Sequence, residues 1–572
     1  MALVPVQLPP GIVRGSTAYD SPDRWYSSSL VRWHGGIAQP VGGWQRLSSG
    51  DFQTQIRRIH CWRSSASQRF VLVATEQKVW TDDSGTWVDV TPSGMAALNT
   101  QGAVGYGVGD YGDEDYGDAR SQPTTLYTSF AFYTLSNWGE DVIFTNSSDG
   151  KLYYYDVTNY GDAAVQIGKY EISSISRTSN VTTVDTSTSH NLTTGDTVVI
   201  AGVTDNTFNG TFTVTVSDSN TFTVSNAGAD GSSSGGTVTD SSVPTGNRAV
   251  AVTEERHVMV AGTSGSPRRL AWSSREDYTD WNFASTTNTA GFLDLETATP
   301  LLTIVSVREG MLVFSETDVF LVRYIGSPFI YSAERLGASS VLHPNMIATY
   351  DGKAMWFDQS GFMQYEGGSM RPIQCPILDF FKADLDPAYG NNVSHASANG
   401  VFDEVWFFYP SAGQPECDKY IIYNYNEGWW GTGSLSRTAA FPAGANKYPL
   451  MAGSDKFIYA HEDGWTDAGN PRIGDVWIET GALSIGNGDR GFEVRQMLPA
   501  TGFGYDTLKV TVYGKQTPDG AERTFGPYTP RSDGYMDMRV SARDIRVRFE
   551  ATEDGDWGVG KMRLEVAPGA GR

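Results

Sequence analysis
One pattern constrains this chain more than any other. A short apolar strand, a polar turn and a second strand ending in Trp, Tyr or Phe recur along it. The unit is read at residues 70–80, 142–155, 258–272, 311–324, 354–365, 405–425 and 450–459. The turns between its strands carry Asn146-Ser-Ser-Asp-Gly150, Thr263-Ser-Gly-Ser-Pro267 and Asp358-Gln-Ser-Gly361, which is hairpin chemistry. Seven such units predict blades around an axis. Their irregular spacing rules out a strict WD40 array, and a pair of β-sandwiches is the competing arrangement.

The expected fold is therefore all-β: an irregular β-propeller core, an inserted small β-module and a C-terminal β-sandwich. Residues 1–50 read as an N-terminal extended arm, 51–171 and 243–470 as the two parts of the propeller, 172–242 as the insert and 471–572 as the sandwich. The insert is set apart by composition. Thr, Ser, Val and Gly dominate it and Arg177 is its only basic residue. Strict alternation in Thr211-Phe-Thr-Val-Thr-Val216 marks half-buried strands. A module in a surface loop costs little, because closure entropy grows slowly with loop length. In the sandwich the same alternation runs through Leu508-Lys-Val-Thr-Val-Tyr513, Ile545-Arg-Val-Arg-Phe549 and Met562-Arg-Leu-Glu-Val566. Helix is scarce, with one or two turns expected at 376–382.

Charge narrows the function. The chain has 572 residues and a formal net charge of -23, from 65 acids and 42 bases. A protein that grips a duplex needs a basic face for phosphate contacts, so this balance argues against DNA binding. It leaves room for a conduit past which DNA slides. The three cysteines, Cys61, Cys375 and Cys417, form no CxxC and predict neither a disulfide framework nor a zinc cage. The opening residues do not read as a signal peptide, and no run of 18 apolar residues predicts a membrane span.

Candidate sites are sparse. Residues 102–118 collect Asp110, Asp113, Glu114, Asp115 and Asp118 among glycines and tyrosines. Three readings stand: a calcium loop, which lacks the EF-hand pattern; a solvated anionic loop; or an acidic lining that repels DNA in a channel. Thr81-Asp-Asp-Ser-Gly-Thr-Trp87 nearly matches the Asp-box turn of sialidase-type propellers, one residue short between Gly and Trp. Such boxes stabilise turns and do not catalyse. The seven histidines, His34, His60, His190, His257, His343, His395 and His461, show no HxH or HxxxH spacing, so no metal site is expected. No GxSxG, P-loop or GxGxxG motif is present. No catalytic residue, cofactor or enzymatic activity is expected. Arg14, Arg24-Trp25 and Arg32-Trp33 interleave cations with aromatics and predict cation–π or stacking contacts, on the chain itself or on a neighbour.

Several long segments together resemble one family. They are LPPGIVRGSTAYDSPDRWYSSSLVRWHGGIAQPVGGW near the start, LAWSSREDYTDWN in mid-chain, GASSVLHPNMIATYDGKAMWFDQSGFMQYEGG, then DEVWFFYPSAGQPECDKYIIYNYNEGWWGTG with the tail DWGVGKMRLEVAPGAGR. They resemble the tail nozzle or hub proteins of podovirus-type phages, the tail tubular protein B-like family, over most of the chain outside 172–242. The resemblance implies a propeller subunit of a homohexameric tube below the adaptor ring. That tube conducts the genome at ejection and docks fibres or spikes, in a virion tail assembled in the host cytoplasm. A receptor-binding or polysaccharide-binding tail protein is the alternative.

Overall fold
The computed structural model describes residues 3–15, 17–83, 85–98, 131–483, 485, 491–499, 504, 507–517 and 520–568. The fold is a seven-bladed β-propeller carrying an inserted barrel and a C-terminal sandwich. Each blade is a four-stranded antiparallel sheet, at 56–89, 133–166, 249–294, 301–338, 347–373 and 395–434 for blades I to VI. Blade VII takes Arg437–Phe441, Leu450–Gly453 and Ile458–His461, and its outer strand is Trp44–Arg46 from near the start of the chain. The first strands of successive blades touch in order, and that of blade VII returns to that of blade I, so the ring is closed. The seven repeated units of the sequence are the middle hairpins of the seven blades.

The middle strands are largely apolar on both faces because each blade is covered by its neighbours. Every residue of Glu404–Tyr409 is buried, as are Val71, Leu72, Val73 and Ala74 in blade I. α-Helix is confined to Leu378–Asp384 and Gly390–Val393 among the described residues.

The inserted module lies between the last strand of blade II, Val165–Gln166, and the first of blade III, Ala249–Val252. It begins at Lys169, three residues before the expected boundary. Lys169–Thr178, Val181–Thr186, Thr221–Ser225, Gly210–Val216, Thr197–Ala201 and Thr237–Asp240 pair in that order, and the last returns to the first. This closed six-stranded barrel has a core of its own, around Val184, Val198, Val214 and Phe222. Arg177 is spent inside it, donating to the Ala229 and Thr207 carbonyls with its guanidinium 4.5 Å from the Phe208 ring centre.

The first fifty residues are not an extended arm. Leu3–Val6 pairs with Met562–Pro568 in one sheet of the sandwich, and Trp25–Ser29 pairs with Trp477–Thr480 in the other. Val31–His34 and Ile37–Pro40 form a hairpin, and Trp44–Arg46 completes blade VII. Burial explains this. Trp25, Trp33 and Trp44 are at most 4% exposed, and burying a tryptophan removes enough area to contribute about 4–6 kcal/mol. Gly42 and Gly43 let the segment pass: a Cβ on Gly43 would lie 2.5 Å from the Thr466 carbonyl oxygen. The sandwich and blades V to VII share one continuous core.

Candidate functional site
Chemistry needs titratable groups gathered around accessible space. Among the described residues, two interior clusters gather such groups without bordering a cavity, and a third set, Asp384, Asp418, Asp475 and Lys419, lines a cavity of about 710 Å³.

The first is the seam between the N-terminal hairpin and blades VI and VII. Arg32 donates to Glu404 at 3.0 Å and to Glu462 at 3.1 and 2.5 Å, and its guanidinium lies 3.6 Å from the centre of the Phe402 ring. Trp406 Nε1 donates to Glu404, and the Gly42 amide donates to Glu462. Burial pushes the Glu404 carboxyl up to about 7 against the pull of Arg32. Two carboxylates sharing one arginine have the composition of an acid–base pair. Glu404 is fully buried, however, and neither carboxylate borders any of the three cavities described below. The cluster is a staple that joins distant parts of the chain.

The second is the propeller axis. Arg57 and Arg58 enter it on the first strand of blade I, Ile56–Arg63. Arg57 is fully engaged by Glu76 and Glu416. Arg58 donates to the Asn345 side chain at 3.3 Å. The segment leading into blade V crosses here: the rings of His343 and Phe132, from blades V and II, meet edge to face at 6.0 Å. The Ala396 amide of blade VI donates to the Asn345 carbonyl. Groups from blades I, II, V and VI thus meet beside the inner strands. Burial, reinforced by the arginines, holds His343 down to about 3 and His395 to about 4; burial likewise holds His60 to about 4. All three are neutral at pH 7. Burial also pushes the Cys417 thiol well up, which removes its nucleophilic form.

Three cavities stand out among the described residues. One of about 380 Å³ sits beside Glu254, Arg308, Asp351 and Gly352, in the turns that end the first strands of blades III to V. Two larger ones flank the joint between propeller and sandwich. The one of about 710 Å³ is lined by Trp44, Trp477, Asp384, Asp418, Asp475 and Lys419, and the one of about 790 Å³ by Trp429, Trp430, Phe362 and Ile12 among others. An apolar tip, Ile325 and Phe329, projects from the outer hairpin of blade IV, with Phe329 73% exposed.

Asp110, Asp113, Glu114, Asp115 and Asp118 lie outside the described residues. The Asp-box-like segment is a hairpin turn in which Asp82 accepts from the Gly85 amide and pairs with Arg69. Arg14 stacks over Phe380 at 3.6 Å and Arg32 over Phe402, both within the chain. Among the described residues no three or more His, Cys, Asp or Glu side chains are placed to hold a metal, and no helix is long and apolar enough to cross a membrane. Sequence reasoning missed Arg57, Arg58, Glu404, Glu416 and Glu462. One signal was visible: two adjacent arginines within a strand whose Ile56, Ile59, Cys61 and Trp62 are buried.

No family model matches the chain, and no curated relative does. Among solved structures it is similar to BamB from Moraxella catarrhalis, at 10% identity and a TM-score of 0.32, covering 74% of this chain and 97% of that one. It is also similar to AztD from Citrobacter koseri, at 9% identity and a TM-score of 0.30, covering 66% and 86%. A glycoside hydrolase aligns over 91% of this chain and 99% of its own, at 7% identity and a TM-score of 0.23. Similarity this slight says nothing about activity.

Proposed function
We propose that the protein is a non-enzymatic structural subunit of a short phage tail, assembling into a homohexameric nozzle through which the genome leaves. The observation that carries this reading is the convergence of the segments that resemble the nozzle family. Residues 8–44, 403–433 and 556–568 are far apart in sequence yet pack on one another. The Ile12 amide donates to the Trp430 carbonyl, Trp33 meets Trp429 edge to face at 5.2 Å, and Ala38 exchanges backbone hydrogen bonds with Val559. Three of the resembling segments therefore share one structural unit and one core, while LAWSSREDYTDWN lies apart in blade III.

Charge and topology fit the same role. With a net charge of -23, the surface repels phosphates and a passing duplex finds few places to stick. In such an assembly the DNA travels between copies, in the lumen of the ring. Adaptor-ring proteins and fibres or spikes are the partners this role demands, and the exposed tip at Ile325 and Phe329 offers one of them an apolar hold. Mass photometry and negative-stain microscopy of the purified full chain test the proposal. Rings of about six copies are expected; a protein that stays monomeric at micromolar concentration sinks it.

A second reading, glycan binding by a tail protein, is favoured by the cavity of about 710 Å³, because the half-buried Trp477 beside carboxylates and serines suits a sugar ring. Titration with host polysaccharide decides it: loss of binding in Trp477→Ala supports the reading, and no binding by the native chain ends it.

A further inference from the structure
The charges in the N-terminal seam do not balance. Arg32, on the strand Val31–His34, offers one positive charge to two carboxylates, Glu404 of blade VI and Glu462 just past the strand Ile458–His461 of blade VII. Both acids accept from the same nitrogen, Nη2, Glu404 at 3.0 Å and Glu462 at 2.5 Å. Two like charges drawn to one atom inside a protein disfavour double ionisation. Neighbouring groups do not cancel the excess. Arg472 faces Glu462, but it also faces Asp554 and Asp467. Tyr420 and Tyr425 face Glu404, and burial pushes both phenols up, so they stay neutral. One negative charge is left over.

The hydrogen bonds decide which acid takes a proton. Glu462 accepts four, two from Arg32 and one each from the Gly42 amide and the Asn399 side chain. Glu404 accepts two, from Arg32 and Trp406, both on Oε2. Its Oε1 lies 2.9 Å from Arg32 Nε, yet neither atom has a hydrogen bond. Each N–H aimed at a carboxylate favours the ionised form, so Glu462 stays charged and Glu404 is the seat of the proton. Burial acts in the same direction and raises Glu404 from an ordinary 4.5 to about 7. The Glu462 side chain is 11% exposed and opens the pair to solvent protons.

We propose that the Arg32–Glu404–Glu462 cluster is a proton-sensitive latch: holding one proton between its two acids, it clamps residues 31–46 onto blades VI and VII, and losing that proton weakens the clamp. The clamped segment contains the hairpin of Val31–His34 and Ile37–Pro40 and the strand Trp44–Arg46, so the latch controls how firmly blade VII is completed. The sign follows from linkage. When the segment lifts, Glu404 meets water and returns to its ordinary value. From pH 4.5 to 7 the lifted state releases a proton that the clamped state keeps, so opening grows with pH across that window and levels off above it. His461, stacked on Trp44, and the axial histidines are held neutral by burial and act in the opposite sense. The latch does not depend on the nozzle reading.

Hydrogen exchange of the full chain at pH 5.5 and pH 8, followed by mass spectrometry, tests this. After correction for the pH dependence of the chemical exchange step, peptides covering 31–46 should open at least about tenfold more often at pH 8. Glu404→Gln, neutral at every pH, should keep them equally closed at both. Glu462→Gln leaves Glu404 alone with Arg32, so it should also flatten the dependence, and it covers the case in which the first variant does not fold. Opening of 31–46 that stays constant or falls between pH 5.5 and 8 overturns the proposal, as does an undiminished rise in either variant.

Discussion
The blades and the inserted barrel are both antiparallel β-structure, but they close in opposite ways. A blade strand such as Glu404–Tyr409 is buried from end to end, because neighbouring blades cover both faces. In the barrel, Thr197–Ala201 buries only its second and fourth residues. The barrel pairs its own first and last strands and keeps its own core. Blade VII cannot do so; it borrows Trp44–Arg46 from almost four hundred residues upstream of its first strand. The barrel is self-sufficient, and the propeller is stable only as a whole.

The strongest way to break this comparison is deletion. Removing residues 1–47 takes away the closing strand of blade VII and one strand from each sheet of the sandwich, and no soluble folded protein is expected. Removing 169–240, with Gly168 and Ser241 bridged by a short Gly-Ser linker, should leave a soluble core with a cooperative melt followed by circular dichroism. Soluble protein from the first and aggregate from the second would invert the comparison.

Point changes come next in size. Trp406→Ala should cost about 3–5 kcal/mol and lower the main calorimetric transition. Phe222→Ala, equally buried, should cost a similar amount but move only a separate barrel transition. A single transition shifted by both variants means that the barrel is coupled to the blades.

Acid should separate the two regions further. His60, His343 and His395 are held neutral, with pKa values lowered to between about 3 and 4. The unfolded chain takes up protons near 6.5, so this contribution to stability is complete above that pH. It is lost as pH falls towards 4. The barrel has one such residue, His190, also lowered by burial. Melts between pH 7 and 4 should therefore show the propeller transition falling faster than that of the barrel. Parallel decline would show that the axial histidines are not the acid-sensitive groups.

The smallest effect is a matched pair. Asp156 in blade II and Asp205 in the barrel each accept a hydrogen bond from the amide two residues on, at the start of a short 3-10 turn. Alanine at either should cost little and about equally, less than either core variant. A large loss at Asp156 alone would mean that blade turns carry tension the barrel lacks.

What could be read from the sequence follows the same division. The middle hairpins of all seven blades were legible because their strands are apolar on both faces and end in aromatics, as in Val142 to Tyr155. Outer strands were not: Val165–Gln166 is two residues long, with Val165 58% exposed. The insert announced itself by composition, but its closure into a barrel depends on Lys169–Thr178 pairing on both sides, which no local pattern encodes. The Arg32 cluster joins residues 372 and 430 positions apart. Alone, Glu404 and Glu462 are two acids among 65. The tryptophans of the first fifty residues were visible, but their buried sites are built by blade VII and the sandwich.

The borrowed strand also sets a timetable for biosynthesis. Trp44–Arg46 pairs with Ile458–His461, so at typical translation speeds about 20–80 s pass between its synthesis and the arrival of its partner. Blades I to VI accumulate meanwhile as an open arc with a bare face at each end. Such an arc is a natural client for a chaperone, and two nascent arcs in one crowded polysome could close on each other instead of on themselves.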